Sequence, residues 1–203
     1  MHKIVFYGPS ETGKTKALQQ VRDGIAEKNC SLISWSKHFE SLTLKLNDID
    51  LFLMTAPGAL YLNNSRLQIL HNVSGVVFFI DAQRNRQRAN ERSFDELIQN
   101  ILRLKIQHLP IVFYFVNTKS DESLEIAALQ RKYCTHREHA HGSIFQAIRK
   151  LLNQIIEKRT VEAKTIVKKE VQKDNIGVEG IKKFHGRQDH YKEYCNDKNN
   201  DSD

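Results

Sequence analysis

Gly8-Pro9-Ser10-Glu11-Thr12-Gly13-Lys14-Thr15 follows the apolar run Lys3-Ile4-Val5-Phe6-Tyr7 and leads into Lys16-Ala17-Leu18-Gln19-Gln20-Val21. The octapeptide reads G-x-x-x-x-G-K-T, a phosphate-binding loop set between a strand and a helix. A plain glycine turn between those elements would not require the full match. The two glycines let backbone N–H groups turn inward around phosphate oxygens, and the helix N-terminus adds its partial positive charge. Lys14 is expected to reach the β- and γ-phosphates, and the Thr15 hydroxyl to ligate Mg²⁺. Gly8, Glu11, Thr12, Gly13, Lys14, Thr15 and Lys16 are therefore the expected phosphate-side residues.

Phe113-Tyr114-Phe115-Val116-Asn117-Thr118-Lys119-Ser120-Asp121 addresses the base. An apolar strand ends in T-K-x-D, a variant of the N-K-x-D signature of guanine-nucleotide binders. The Asp121 carboxylate can accept two hydrogen bonds from guanine, from N1–H and from the exocyclic amine. Adenine lacks that donor pair and would leave the carboxylate unpaired, at a cost of about 1–3 kcal/mol. Lys119 would lay its aliphatic stem along the base and ribose. Thr118, Lys119 and Asp121 are the expected base-side residues.

The third stretch is Leu51-Phe52-Leu53-Met54-Thr55-Ala56-Pro57-Gly58-Ala59. Its T-x-P-G stands where small GTPases carry D-x-x-G, and it resembles the gliding-polarity (Mgl-type) small GTPases of prokaryotes. The resemblance continues through Asn63-Asn64-Ser65-Arg66, Gly75-Val76-Val77-Phe78-Phe79-Ile80-Asp81-Ala82-Gln83 and Ala89-Asn90-Glu91-Arg92-Ser93. It covers roughly residues 1–156 and skips the first switch region. It implies GTP and GDP as ligands, Mg²⁺ as cofactor, a γ-phosphate contact from the Gly58 amide, and a small roadblock/longin-fold regulator as partner.

Strands are predicted at 3–7, 39–46, 49–55, 74–81 and 110–117, and helices at 14–27, 60–72, 90–106, 122–131 and 143–158. The runs 75–80 and 111–116 are apolar throughout, as in parallel strands covered on both faces. Ile144, Ile148, Leu151, Leu152, Ile155 and Ile156 form a stripe of period 3.6. This alternation predicts an α/β P-loop sandwich of three layers with a mostly parallel sheet, a Ras-like G domain over 1–158. Residues 159–203 read as a helical extension followed, over 176–203, by a disordered polar tail that is either solvated or a basic interaction arm.

The chain has 203 residues, 40% of them hydrophobic, enough for a buried core. Lys and Arg total 31 against 24 Asp and Glu, a net charge of +7. Basic residues alternate with acids and form no aromatic-studded stripe, which argues against nucleic-acid binding. Cys30, Cys134 and Cys195 lack metal or redox spacing, and the reading is reduced thiols in a cytoplasmic protein. No apolar run approaches a membrane span. With His2 second and Cys195 eight residues before the last position given, neither myristoylation nor prenylation is expected. His136, His139 and His141 are either metal ligands or part of a polar loop.

The first switch offers Ser31, Ser34 and Ser36 as candidate Mg²⁺ hydroxyls, with none singled out. Trp35 is either a partner anchor or a packed residue. The hydrolysis machinery is incomplete. Ala59 occupies the position where GTPases place the glutamine that orients water, so the catalytic groups are unidentified. No glutamine stands between Gln20 and Gln68, and no arginine between Arg22 and Arg66. Lys28, Lys37 and Lys45 provide only point charges. The expectation is a switch with slow intrinsic turnover, whose missing groups come from a partner or from Gln68 or Arg66 swinging in. The alternatives are a GTP-binding scaffold with negligible hydrolysis and a P-loop ATPase.

Overall fold

The computed structural model describes residues 1–25, 30–35 (as backbone), 39–46, 49–58, 62–119, 123–134, 137–161 and 165. The chain divides into two compact units, Met1–Ile156 and Glu157–Asp203. Of the second, residues 157–161 and 165 are described, all helical.

The first unit runs β1 (His2–Tyr7), α1 (Lys14–Asp23), β2 (Cys30–Trp35), β3 (Glu40–Leu46), β4 (Ile49–Thr55), α2 (Asn63–Ile69) and β5 (Gly75–Asp81). After a 3-10 turn at Arg84–Arg86 come α3 (Gln87–Arg103), β6 (Ile111–Val116), α4 (Ile126–Tyr133), β7 (His139–His141) and α5, helical over residues 144–156. The strands form one sheet in the order β2-β3-β4-β1-β5-β6-β7. β1 pairs in parallel with β4 and β5, β5 with β6, and β6 with β7. β3 pairs antiparallel with both β2 and β4.

Period-two alternation assigns the two faces of the sheet. Ile4, Phe6, Val77, Phe79, Val112 and Tyr114 pack with Ala17, Leu18 and Val21 of α1 and with Ile144, Ile148 and Leu151 of α5. Val5, Tyr7, Val76, Phe78, Phe113 and Phe115 pack with Ile69 of α2, Leu97 of α3 and Leu129 of α4. The strands are thus apolar on both faces because both faces are covered, and the α/β sandwich is the predicted one. The stripe of the last helix is buried except at Ile156, which is 44% exposed.

Several boundaries differ from expectation. α1 stops at Asp23 rather than 27, because Gly24 follows and its N–H closes onto the Gln20 carbonyl at 3.0 Å; glycine ends helices readily. β2 lies where no strand is predicted, in the first switch region. Its pairing with β3 shifts register between Ser31 and Ile33, and such a break hides the alternation that would mark a strand. β7 has three residues, two of them histidines, too short and polar to signal from sequence. α3 begins at Gln87 rather than 90, directly on the 3-10 turn. α4 lies at 126–133 rather than 122–131, where Leu129 and Tyr133 are buried.

Candidate nucleotide site

The carboxyl ends of the parallel strands carry the site, the usual place for ligands in such sheets. The loop after β1 begins at Gly8, with φ 138°, and a Cβ there would lie 2.6 Å from the Phe79 carbonyl oxygen. Only glycine fits so close to the neighbouring strand in that conformation. Glu11 (φ 64°) and Gly13 (φ 75°) are left-handed and flank Thr12. The buried Thr12 hydroxyl donates to the Pro9 carbonyl at 3.0 Å.

Lys14 opens α1 and is buried. Its Nζ donates to the carbonyls of Gly8 (3.1 Å) and Pro9 (2.5 Å) and lies 3.3 Å from the Thr12 hydroxyl. Burial, reinforced by the positive charges of Arg66 and Arg86, lowers its pKa to about 7. A cation under such pressure gains most from an anionic neighbour.

A cavity of about 700 Å³ opens over this loop. Ser10, Glu11, Gly13, Lys14, Thr15 and Lys16 line one side, and Glu40, Thr55 and Gly58 lie across from them. The sheet therefore brings together the phosphate-side residues and the T-x-P-G loop. Gly58 touches the P-loop directly: a Cβ on it would meet the Ser10 Cα at 2.4 Å. The Thr55 hydroxyl accepts from the Glu40 N–H at 3.1 Å and lies 3.4 Å from the Glu40 carbonyl. Thr55 is thus occupied in joining β4 to β3. Beside it, Glu40 Oε2 is buried with no hydrogen-bond partner among the described residues.

Arg66 corrects an expectation. It is fully buried and cannot swing in. Nη1 donates to the Pro57 carbonyl at 2.6 Å, Nη2 to the Ser93 hydroxyl at 3.0 Å, and Nε to Glu96 Oε1 at 2.8 Å. Nη2 also lies 2.7 Å from Glu96 Oε2, and the guanidinium sits 4.3 Å from the Tyr7 ring centroid. Arg66 therefore fastens the T-x-P-G loop to α3. Gln68 is exposed on α2.

A second cavity, about 480 Å³, lies at the ends of β5 and β6, lined by Gln83, Asn117, Thr118, Lys119 and Gly142 among others. The Asn117 amide donates to Asp81 Oδ1 at 3.0 Å. Asn90 locks the end of β5 from both sides: Asp81 N–H donates to Asn90 Oδ1 at 3.1 Å, and Asn90 Nδ2 to the Asp81 carbonyl at 2.8 Å. The A-N-x-x-S pattern around residues 89–93 thus reads as buried anchors, Asn90 for β5 and Ser93 for Arg66.

Sequence reasoning missed Glu40, Asp81, Asn117 and Arg86 as site residues. Asp81 and Asn117 stood inside quoted motifs, but Glu40 and Arg86 carry no local signal. Asp121, Ala59, His136, Ser36, Lys28, Lys37, Cys195 and the tail 176–203 lie outside the described residues, as do the side chains of Cys30, Ser31, Ser34 and Trp35. His139 stacks on Phe115 (centroids 5.7 Å apart) and its Nε2 is 2.6 Å from Gln130 Nε2, while His141 is exposed. Among the described residues no group of metal-ligating side chains gathers there. No helix among them is long and apolar enough to cross a membrane.

A mostly parallel sheet with a G-x-x-x-x-G-K-T loop after its first strand and two cavities along one edge defines a P-loop nucleotide-binding domain of the Ras-like kind. No protein-family model matches the chain. The mutual gliding-motility protein MglA of Myxococcus xanthus (strain DK1622) is 34% identical over 149 residues, which are 66% of this chain and 76% of that protein. The chain belongs to the MglA family of Ras-like small GTPases.

Proposed function

We propose that the chain is a guanine-nucleotide switch with very slow hydrolysis of its own. The observation that carries this reading is the cavity in which Lys14, Thr15 and Gly58 face one another across the P-loop, with Lys119 in a second cavity along the same edge. In this reading the N–H groups of residues 11–15 and Lys14 hold the phosphates, and Asp121 selects guanine. The Gly58 loop, already against Ser10, senses the γ-phosphate. A nucleotide-dependent surface would follow from ordering of the switch segments.

Mg²⁺ fits the oxygen donors that line the cavity. T-x-P-G lacks the aspartate of D-x-x-G, and Thr55 is engaged with Glu40. The unpartnered carboxylate of Glu40 and the Thr15 hydroxyl, which line the same cavity, are the residues that would hold the ion. When bound, the ion would neutralise charge on the β- and γ-phosphates. Hydrolysis then lacks its usual helpers in this reading: the sequence position after Gly58 holds Ala59, whose methyl group cannot orient water, and Arg66 is committed to Pro57, Ser93 and Glu96. An arginine supplied to such a site is worth about 10³–10⁵ in rate, so a partner that inserts one would set the useful turnover. By family resemblance that partner is a roadblock/longin-fold regulator.

The test is a competition titration of purified protein with GTP and ATP, followed by single-turnover hydrolysis of wild type and Ala59→Gln. Preference for GTP, loss of binding in Lys14→Ala, and turnover slower than that of ordinary small GTPases are expected. Equal affinity for ATP would refute guanine selection by Asp121. Brisk hydrolysis by the unaided wild type would refute the missing-group reading.

A further inference from the structure

Arg86 ends the 3-10 turn between β5 and α3, far in sequence from both nucleotide loops. Its Nη2 donates to the Ser10 carbonyl at 2.5 Å, its Nε lies 3.5 Å from Asp81 Oδ2, and its Nη1 is 3.9 Å from Glu11 Oε2. Asp81 is 3% exposed at its side chain and uses its other oxygen, Oδ1, to accept from the Asn117 amide at 3.0 Å. A polar relay therefore runs from the P-loop through Arg86 and Asp81 to the residue before Thr118-Lys119. Its two ends are unusual in the same way. Glu11 and Asn117 both adopt left-handed backbone, at φ 64° and 56°, a conformation disfavoured for residues with a Cβ.

We propose that Arg86 is a positioning residue that sets the orientation of the Ser10–Glu11 peptide and ties the phosphate loop to the base-side loop. In a trans peptide the carbonyl and the N–H point in opposite directions. Holding the Ser10 carbonyl toward Arg86 turns the Glu11 N–H away from it, as a donor for phosphate oxygen. Loss of the guanidinium frees the peptide to flip and to turn a carbonyl toward the anion instead. The planar fork reaches two acceptors at once, which a lysine ammonium cannot do in the same geometry. Asp81 fixes the fork and, through Asn117, registers the base-side loop against the phosphate side.

The inference rests on the proposed guanine-nucleotide function, so wild type and Lys14→Ala are measured first with a fluorescent GDP analogue. Failure of wild type to bind overturns both. Given binding, Arg86→Ala should release the analogue about tenfold faster, or more, a step of ~1.4 kcal/mol. Arg86→Lys should recover only part of that loss. Arg84→Ala removes an equal charge from an exposed neighbour in the same turn and should stay within about twofold of wild type. Arg86→Ala combined with Asp81→Asn should be no worse than the worse single variant, because residues in one network are not additive. A merely structural role would lower the melting temperature and leave the release rate alone. That result, or an Arg84→Ala effect equal to that of Arg86→Ala, overturns the proposal. If Arg86→Ala fails to fold, Arg86→Lys and Arg86→Gln carry the same comparison, and release unchanged in both refutes it.

Discussion

Replacing Arg66 by Met is the sharpest probe of what holds the T-x-P-G loop. The side chain is fully buried and its partner Glu96 is 13% exposed. Methionine keeps much of the stem volume but leaves Glu96 without its counter-charge and the Pro57 carbonyl and Ser93 hydroxyl without a donor. Removing one member of a buried pair costs about 3–5 kcal/mol, chiefly through the charge left behind. For a chain of this length each kcal/mol lowers the melting temperature by about 2–4 °C, so the drop should be roughly 6–20 °C. Urea unfolding should give the same loss with an unchanged slope. The double variant Arg66→Met/Glu96→Leu removes both charges, and should recover more than half of the deficit. A loss under about 1 kcal/mol for Arg66→Met would refute the reasoning, since that is the range of a solvent-exposed pair. So would a double variant that simply sums the two single losses, because residues in contact should couple.

Gly58→Ala must push its new Cβ away from the Ser10 backbone, 2.4 Å away as the loops now stand; GTP affinity should fall more than GDP affinity in paired titrations. Gly8→Ala adds a methyl group 2.6 Å from the Phe79 carbonyl at φ 138°, and should lower stability by at least about 1–3 kcal/mol in urea titration, the range for a single strained backbone residue. Burial raises the Cys134 thiol pKa from 9.0 to about 11, so alkylation at pH 8, followed by peptide mass mapping, should run about 100-fold slower than at an ordinary thiol. The sign for stability follows from the same shift. Well below pH 9 the thiol is protonated in both states and contributes no pH dependence. Between 9 and 11 the unfolded chain loses the proton first, so stability should fall as pH rises.

Much of the fold was legible because both faces of the central strands are covered. Runs such as 75–80 and 111–116 can be apolar throughout only in that setting. The P-loop was legible because its function demands particular residue types at fixed spacing. What escaped was set by tertiary contacts. Nothing near Arg66 in sequence announces Glu96, thirty positions on, as its ion-pair partner, so the arginine looked available. Glu40 and Arg86 carry no local signal until β3 brings Glu40 to the cavity and the 3-10 turn brings Arg86 against the Ser10 carbonyl. β2 was hidden by its register shift, and β7 by its brevity.

Among the described residues those last two strands are also the borders of the sheet. A sheet of seven strands must end somewhere, and each end bears unpaired N–H and C=O groups able to recruit another chain. Here one border is only three residues long, His139–His141, a template too brief to hold an added strand well. The other is broken by the irregularity between Ser31 and Ile33, which interrupts the straight ladder that a stacking partner would need. The features that made these strands hard to read are therefore the ones that discourage the sheet from growing outward into aggregates.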